Sequence, residues 1–189
     1  MLDHLQTYIR NILSHVPWWH WVIMCAVALG LEAVLLIRKR RSVYGAVVVG
    51  LTVFVGLFLL DTAVFVRYMG YFPHGTGYKF SLSLRRLFPS NKIALTEVIA
   101  NMAVFVPFGL FLSEALSTGR RRAGRSGFWR QVGAVTLVGL ALSLAIEVLQ
   151  LMLGVGVFEV QDLVLNTAGT FIGAAFALLV RKALRRKPS

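Results

Sequence analysis

The chain has 189 residues, of which 57% are hydrophobic and only 15% are charged, and its mean hydropathy is +0.72. Soluble domains normally carry about 25% charged residues, so this composition excludes the soluble and disordered classes. The single cysteine, Cys25, excludes a disulfide-stapled fold. The charge is nevertheless strongly basic, with 20 Lys and Arg against 8 Asp and Glu, a formal net charge of +12. Apolar membrane spans joined by basic loops account for both properties without a nucleic-acid partner.

The first 17 residues predict an amphipathic helix that precedes any membrane span. Their apolar side chains recur at spacings of three and four residues, at Leu2, Leu5, Ile9, Ile12, Leu13 and Val16. Tryptophans follow directly, beginning at Trp18. An apolar stripe with an aromatic anchor is typical of a helix that lies in the membrane interface. A short helix in solution is the alternative.

Five apolar segments follow, each long enough to cross a bilayer of about 30 Å. In chain order they cover residues 18–37, 43–66, 93–116, 128–153 and 160–180. The last two are separated by only a short turn, and no Pro-rich or Ser-rich linker divides the chain. We therefore predict an all-α fold, a polytopic transmembrane helical bundle of about five spans. Residues 18–189 form its single domain, and residues 1–17 form the interfacial segment.

The basic residues lie mainly on one side of these five spans. Fourteen of the 20 fall within residues 38–41, 120–130 and 181–187, which face the same side of the membrane. The positive-inside rule places that side in the cytoplasm. We therefore predict a multi-pass protein of the bacterial cytoplasmic membrane, with its N-terminus outside and its C-terminus in the cytoplasm.

This orientation brings six polar side chains from four spans to one depth in the outer half of the membrane. They are Asp61, Asn101, Glu147, Gln150, Asp162 and Asn166. Glu147 and Gln150 are three residues apart and share a helix face, as do Asp162 and Asn166, which are four apart. An ionisable group within a span costs about 2.5–3.5 kcal/mol on insertion scales, so we predict an outward-facing polar cavity. The alternative is that these groups only bond one another and hold the bundle together.

Small and helix-loosening residues accompany the polar ones. Gly169 and Gly173 continue the helix face that carries Asp162, and small residues four apart let helix backbones approach closely. On the third span, Pro107 and Gly109 predict a loosened helix with carbonyls directed towards a cavity. We therefore predict that the fifth span is polar at its outer end and tightly packed below.

The outer loop, residues 67–92, mixes basic and aromatic side chains, a combination that suits the headgroup region of a membrane. Arg85 and Arg86 in this loop are candidates to reach a ligand in the cavity. Asp61 either belongs to the same site or pairs with Arg67 at the interface. Ordinary interfacial anchoring is the alternative role of the loop.

Three polar motifs occur in order along the last three spans. Residues 101–109 follow N-x5-P-x-G, residues 147–150 follow E-x-x-Q, and residues 162–173 follow D-x3-N-x2-G-x3-G. In motif order and spacing, the sequence over residues 97–180 resembles the VanZ-like family of small bacterial membrane proteins. The resemblance implies a polytopic protein of the cell envelope. The founding member of that family is associated with resistance to the glycopeptide teicoplanin.

Two positions depart from the family pattern. The family often has an Arg shortly before the acidic turn, where this chain has Gly156. It commonly has a second acid before Asp162, where this chain has Gln161. If the family Arg binds an anion, Arg85 or Arg86 is the candidate to replace it here.

The leading functional hypothesis is that the cavity binds a lipid-linked or other envelope molecule without catalysis and influences glycopeptide susceptibility. The predicted ligand-binding residues are Asn101, Glu147, Gln150, Asp162 and Asn166, with Asp61, Arg85 and Arg86 as further candidates. Membrane lipids and a lipid-linked envelope precursor are the expected partners. We expect no cofactor and no metal site, because the four histidines are dispersed along the chain.

Two other functions are compatible with the same residues. An intramembrane enzyme that acts on a lipid headgroup would use Glu147 as the acid and Asp162 as the base. A small transporter of lipids or solutes would require the cavity to open inward as well. The inner halves of the spans carry few polar residues, which argues against transport.

Overall fold

A computed structural model of the chain describes residues 6–7, 10, 13–38, 41–69, 79–81, 92–119 and 127–184. Five long helices dominate the fold, in the order α1 (Trp18–Ile37), α2 (Val43–Tyr68), α3 (Lys92–Gly119), α4 (Phe128–Leu153) and α5 (Val160–Leu184). Each helix is long and apolar enough to cross a membrane. The predicted all-α polytopic bundle of five spans is therefore confirmed.

Two short strands lie together at one end of the bundle, which we call the strand end. The strand β1 (Lys79–Ser81) lies between α2 and α3 in the chain, and β2 (Val157–Glu159) joins α4 to α5. They pair in parallel. The helix α4 stops at Gly154, whose left-handed φ of 66° ends the helix and directs the chain towards β2. The connection between the last two spans therefore also binds the loop that follows α2.

At the opposite end of the bundle, α3 and α5 continue beyond the predicted spans. Arg181 on α5 donates a hydrogen bond to Glu114 Oε1 over 2.9 Å. Arg41, just before α2, donates to the carbonyl of Ala115 on α3 over 2.8 Å. The predicted spans ended where hydropathy falls, but basic side chains with long apolar stems extend a helix to the interface. These contacts therefore explain the extra helical turns.

The helices α3 and α5 pack backbone against backbone. A side chain at Gly169 would collide with the carbonyl of Met102, and one at Gly173 would collide with the carbonyl of Val106. Such close approach is typical of small residues four apart in membrane helices. An apolar core lies beside this contact, formed by Leu59, Val64, Phe105, Phe108 and Ile146. The close helix contact and the apolar core therefore lie side by side.

Ahead of α1, residues 6–7, 10 and 13–15 are helical, as the amphipathic stripe predicted. Val16 is buried and Leu13 lies partly exposed at the edge of the bundle. The other members of the stripe, Leu2, Leu5, Ile9 and Ile12, lie outside the described residues. The interfacial location of this segment stays a prediction.

Candidate functional site

A cavity of about 490 Å³ lies between α2, α3, α4 and α5 near the strand end of the bundle. Its walls include five of the predicted ligand-binding residues, namely Asn101, Glu147, Gln150, Asp162 and Asn166. Glu147 is 2% exposed, Gln150 6% and Asn166 7%, so this polar lining belongs to the interior of the bundle. The structure thus brings residues from all three sequence motifs to one cavity.

The carboxylate of Glu147 is held by the backbone of the strand pair. Its Oε2 accepts a hydrogen bond from the amide of Glu159 over 2.8 Å. Glu159 is aligned with Ser81 in the two-stranded sheet. Residues 79–81, as β1, therefore pair with the strand whose backbone holds Glu147. Arg85 and Arg86, the ligand contacts that the sequence suggested in this loop, lie outside the described residues.

Asn101 and Asp162 join α3 to α5 at the cavity wall. Asn101 Nδ2 donates a hydrogen bond to Asp162 Oδ1 over 3.0 Å. One turn further along α5, Asn166 Nδ2 lies 2.9 Å from Ser143 Oγ on α4. Thr170 donates its hydroxyl to the carbonyl of Asn166 over 3.0 Å. The polar residues of α5 are therefore bonded to both neighbouring helices.

Gln150 joins α4 to an irregular turn of α2. Residues Asp61–Phe65 form a π-helical turn, in which the amide of Val66 bonds to the carbonyl of Asp61, five residues back. Within this turn the carbonyl of Ala63 accepts a hydrogen bond from Gln150 Nε2 over 2.9 Å. Such turns are rare and are frequent at functional sites. The sequence contained no pattern that predicted it.

Asp61 contacts a histidine and is not among the residues that line the cavity. Its Oδ1 lies 2.6 Å from His20 Nδ1 on α1, and the two side chains are 13% and 4% exposed respectively. The suggested pairing of Asp61 with Arg67 does not form. Arg67 lies instead on the cavity wall. Sequence reasoning missed both contacts because they depend on the rotation of each helix about its axis, which a span prediction does not specify.

One side of the cavity is apolar and lies between α2 and α3. Val55 and Phe58 from α2 face Val104 from α3 there. Ala103 and Pro107 also line the cavity, yet both are exposed on the surface of the bundle. The cavity therefore opens sideways, onto the surface that meets lipid. The helix α3 runs unbroken through Pro107, which lacks the N–H that would bond to the carbonyl of Ala103.

The described residues contain no group of three or more His, Cys, Asp or Glu side chains that could hold a metal ion. A second cavity, of about 500 Å³, lies between α4 and α5. Its lining is apolar apart from Thr136 and Thr167 and contains no charged residue. The chemistry of the bundle is therefore concentrated in the first cavity.

Comparison with known proteins shows the family to which this chain belongs. A profile of the VanZ/LLP1 family matches residues 48–181, which include most of α2 and nearly all of α3 to α5. The chain belongs to the VanZ/LLP1 family. Protein VanZ of Enterococcus faecium is 31% identical over 91 residues, which are 48% of this chain and 50% of that protein. The match thus spans about half the length of that relative. No solved structure matches.

The VanZ/LLP1 match includes all the described polar residues that line the cavity. Among the described residues, only Leu13 lines the cavity from before the match, and the His20 contact to Asp61 also starts outside it. Gly156, where VanZ-like sequences often have Arg, is buried against Gln150. A side chain at this position would begin about 3.3 Å from Gln150 Oε1. In this VanZ/LLP1 protein, Arg67 is the described cation on the cavity wall.

Proposed function

We propose that this VanZ/LLP1 protein binds the polar part of a lipid-linked or other envelope molecule in the cavity, and so influences susceptibility to teicoplanin-type glycopeptides. The observation that carries the proposal is Glu147, a buried acid on the wall of a cavity large enough for a small ligand. Interhelical hydrogen bonds in membranes contribute only about 0.6 kcal/mol on average, so stability alone is a weak reason to place an acid there. Contact with a ligand is a better reason for an acid at this position.

The proposal includes the orientation of the protein. We place the strand end, and with it the cavity, on the outer side of the bacterial cytoplasmic membrane. The opposite end carries Arg41, Arg181 and Lys182. A high density of basic residues at one end of a bundle is typical of its cytoplasmic side. The N-terminus then lies outside and the C-terminus in the cytoplasm.

Two acids at opposite ends of the bundle make a matched test. Glu147→Gln removes the acid from the cavity wall with almost no change in side-chain volume. Glu114→Gln makes the same change at the opposite end, where Glu114 bonds to Arg181 and Tyr44. Each variant is produced in a teicoplanin-sensitive host, and its amount in the membrane is measured alongside the minimum inhibitory concentration.

We expect Glu147→Gln to return the host to the teicoplanin sensitivity of cells without the protein, because the ligand loses its acidic partner. Glu114→Gln should keep the effect of the wild type. Equal protection by both variants, at equal amounts in the membrane, would contradict the proposed site. Loss of protection in both would indicate that the acids act only through folding.

An intramembrane enzyme is the second candidate, because Glu147 and Asp162 line the same cavity. Acid–base catalysis needs two such groups in different environments. It predicts release of a headgroup fragment when the purified full chain is incubated with membrane lipids. A Glu147→Gln variant that keeps lipid binding and loses the product would favour the enzyme. Protection from teicoplanin without any product would exclude it.

A further inference from the structure

We infer that the cavity selects a lipid with a phosphoethanolamine-type head group, with its ammonium among the oxygens of the cavity wall and its phosphate at Arg67. This inference rests on the proposed function, because it names the class of molecule that the same cavity binds. It depends on three observations: the direction of the side-chain amides, the position of one cation, and the sideways opening of the cavity.

The direction of two amides is settled by their partners. Gln150 Nε2 donates to the carbonyl of Ala63, and Asn101 Nδ2 donates to the carboxylate of Asp162. A carbonyl oxygen only accepts hydrogen bonds, and so does an ionised carboxylate. Each amide must therefore turn its nitrogen to the protein. Its oxygen is left for another donor.

The cavity wall consequently presents acceptors that lack donors. Gln150 Oε1, Asn101 Oδ1 and Glu147 Oε1 accept no hydrogen bond from any residue that the structure describes. All three residues line the cavity, and none of the three oxygens is a buried atom without a partner, so we infer that they are available to a ligand there. A primary ammonium carries three N–H donors and no acceptor, which makes it the natural complement of such a wall. Hydrogen bonds that involve a charged group are also the stronger ones.

Gly156 contributes to this arrangement because it has no side chain. An Arg at this position, as the family often has, would bring a guanidinium chain close to Gln150 Oε1. Glycine leaves that oxygen without a donor from the protein.

Arg67 supplies the complement to the other half of the head group. It lies on the cavity wall at the end of α2 and forms no ion pair with another described residue. Guanidinium groups bind phosphate through parallel hydrogen bonds. A cavity wall that holds both these acceptors and a guanidinium is chemically complementary to a zwitterion that carries a phosphate and a primary ammonium.

The sideways opening identifies the ligand as a lipid. Ala103 and Pro107 are at once cavity wall and bundle surface, so a molecule can enter from the bilayer between α2 and α3. Val55, Phe58 and Val104 provide an apolar path for the upper part of an acyl chain. A volume of about 490 Å³ holds a head group and a short length of chain. The rest of each chain stays in the bilayer.

The test compares lipids that differ only in the head group. The purified full chain in detergent is mixed with phosphatidylethanolamine, phosphatidylcholine or phosphatidylglycerol of identical acyl chains, and bound lipid is counted by native mass spectrometry. Choline has the charge of ethanolamine without its N–H donors, so it is the matched control. We expect about tenfold greater retention of the ethanolamine lipid over the choline lipid, roughly one good hydrogen-bonded contact. Soluble phosphoethanolamine, added as a competitor, should displace the lipid poorly.

Two variants separate the roles of the two halves of the site. Glu147→Gln should lower the ratio of ethanolamine lipid to choline lipid towards one. Arg67→Gln should reduce retention of both lipids and leave their ratio unchanged, because both contain phosphate. Each ratio is measured within one sample, so it does not depend on the yield of folded protein.

Each negative result of this experiment contradicts a different claim. Equal retention of the ethanolamine and choline lipids by the wild type would overturn this inference and leave the proposed function intact. Displacement by soluble phosphoethanolamine at equal concentration would overturn the assignment to a lipid. Retention of no lipid at all, with wild-type protection from teicoplanin in Glu147→Gln cells, would overturn the proposed function as well.

Discussion

Asn101 Nδ2 donates a hydrogen bond to Asp162 Oδ1 over 3.0 Å, which joins two residues 61 positions apart in the chain. The bond connects α3 to α5 at the cavity wall, just above the point where Gly169 meets the backbone of Met102. The polar wall therefore lies next to a close backbone contact between α3 and α5. Changes in that contact should move the cavity as well as weaken the fold.

We predict that Gly169→Ala and Gly173→Ala each destabilise the protein by about 1–3 kcal/mol, the usual cost of overpacking. In both cases the new methyl group meets a backbone carbonyl of α3, which cannot rotate away as a side chain does. The measurement is the thermal unfolding midpoint of the purified protein in one detergent.

Gly133→Ala on α4 is the matched control for these variants. Apart from the neighbouring backbone of α4 itself, no atom of a described residue lies within 4 Å of a methyl group added there. Since alanine is the better helix former by about 1 kcal/mol, this change should be neutral or slightly stabilising. Equal destabilisation at all three positions would show that the α3–α5 contact is not the cause.

Two glutamines on α4 have the same burial and different surroundings. Gln150 donates to Ala63 beside the cavity, and Gln131 donates to Ser113 and Ser117 at the opposite end of the bundle. Both are 6% exposed. We predict that Gln150→Leu and Gln131→Leu cost similar stability, about 0.6–1.7 kcal/mol each. Only Gln150→Leu should abolish protection from teicoplanin.

The measurements are unfolding midpoints and inhibitory concentrations at matched amounts of protein in the membrane. If the Gln150→Leu variant protects cells as well as the Gln131→Leu variant does, Gln150 does not belong to the site.

The contact between His20 and Asp61 should show strong coupling. We predict that His20→Leu and Asp61→Leu each lower stability by about 3 kcal/mol, because either change leaves a buried polar group without its partner. The double variant should recover most of this loss, since two apolar groups then face each other. A double-mutant cycle on unfolding midpoints measures the coupling. Simple additivity of the two losses would mean that the side chains do not interact.

Cysteine labelling tests the proposed orientation. Cys25→Ser removes the only cysteine, and Ser90→Cys or Ser126→Cys then places one on either side of α3. A membrane-impermeant maleimide added to intact cells should label Ser90→Cys, which we place outside. Ser126→Cys should react only after the membrane is made permeable. The reverse labelling pattern would show the opposite orientation, in which the cavity faces the cytoplasm.

The extent of the helices followed well from local sequence. The bounds of α1 and α4 are the predicted ones, because Pro17 and Arg38 flank the first helix and Gly127 and Gly154 flank the other. These residues stop a helix or an apolar run through their own chemistry. The π-helical turn at Asp61–Phe65 was not predictable in this way, since its residues include Asp61 but no proline or glycine that would mark a change of helix type.

The polar residues were predictable as a group and not as pairs. Their depth follows from counting along each span, so Glu147, Gln150 and Asp162 were expected near one another. The hydrogen-bond partners of these residues were not predicted. Glu147 bonds to a backbone amide of β2, and Gln150 bonds to a carbonyl of α2. Hydrogen bonds to backbone groups cannot be predicted from the pattern of side chains along the sequence.

The sequence by itself determined the class of the protein, five apolar spans with scarce acids at one depth, because hydrophobic length and charge are properties of the chain alone. Only the tertiary structure decided that Asp61 turns to His20 while Arg67 faces the cavity, and that the cavity opens between α2 and α3. Those outcomes depend on how far each helix is rotated and shifted against its neighbours. That geometry is set by packing, such as the contact of Gly169 with Met102, between residues far apart in the chain.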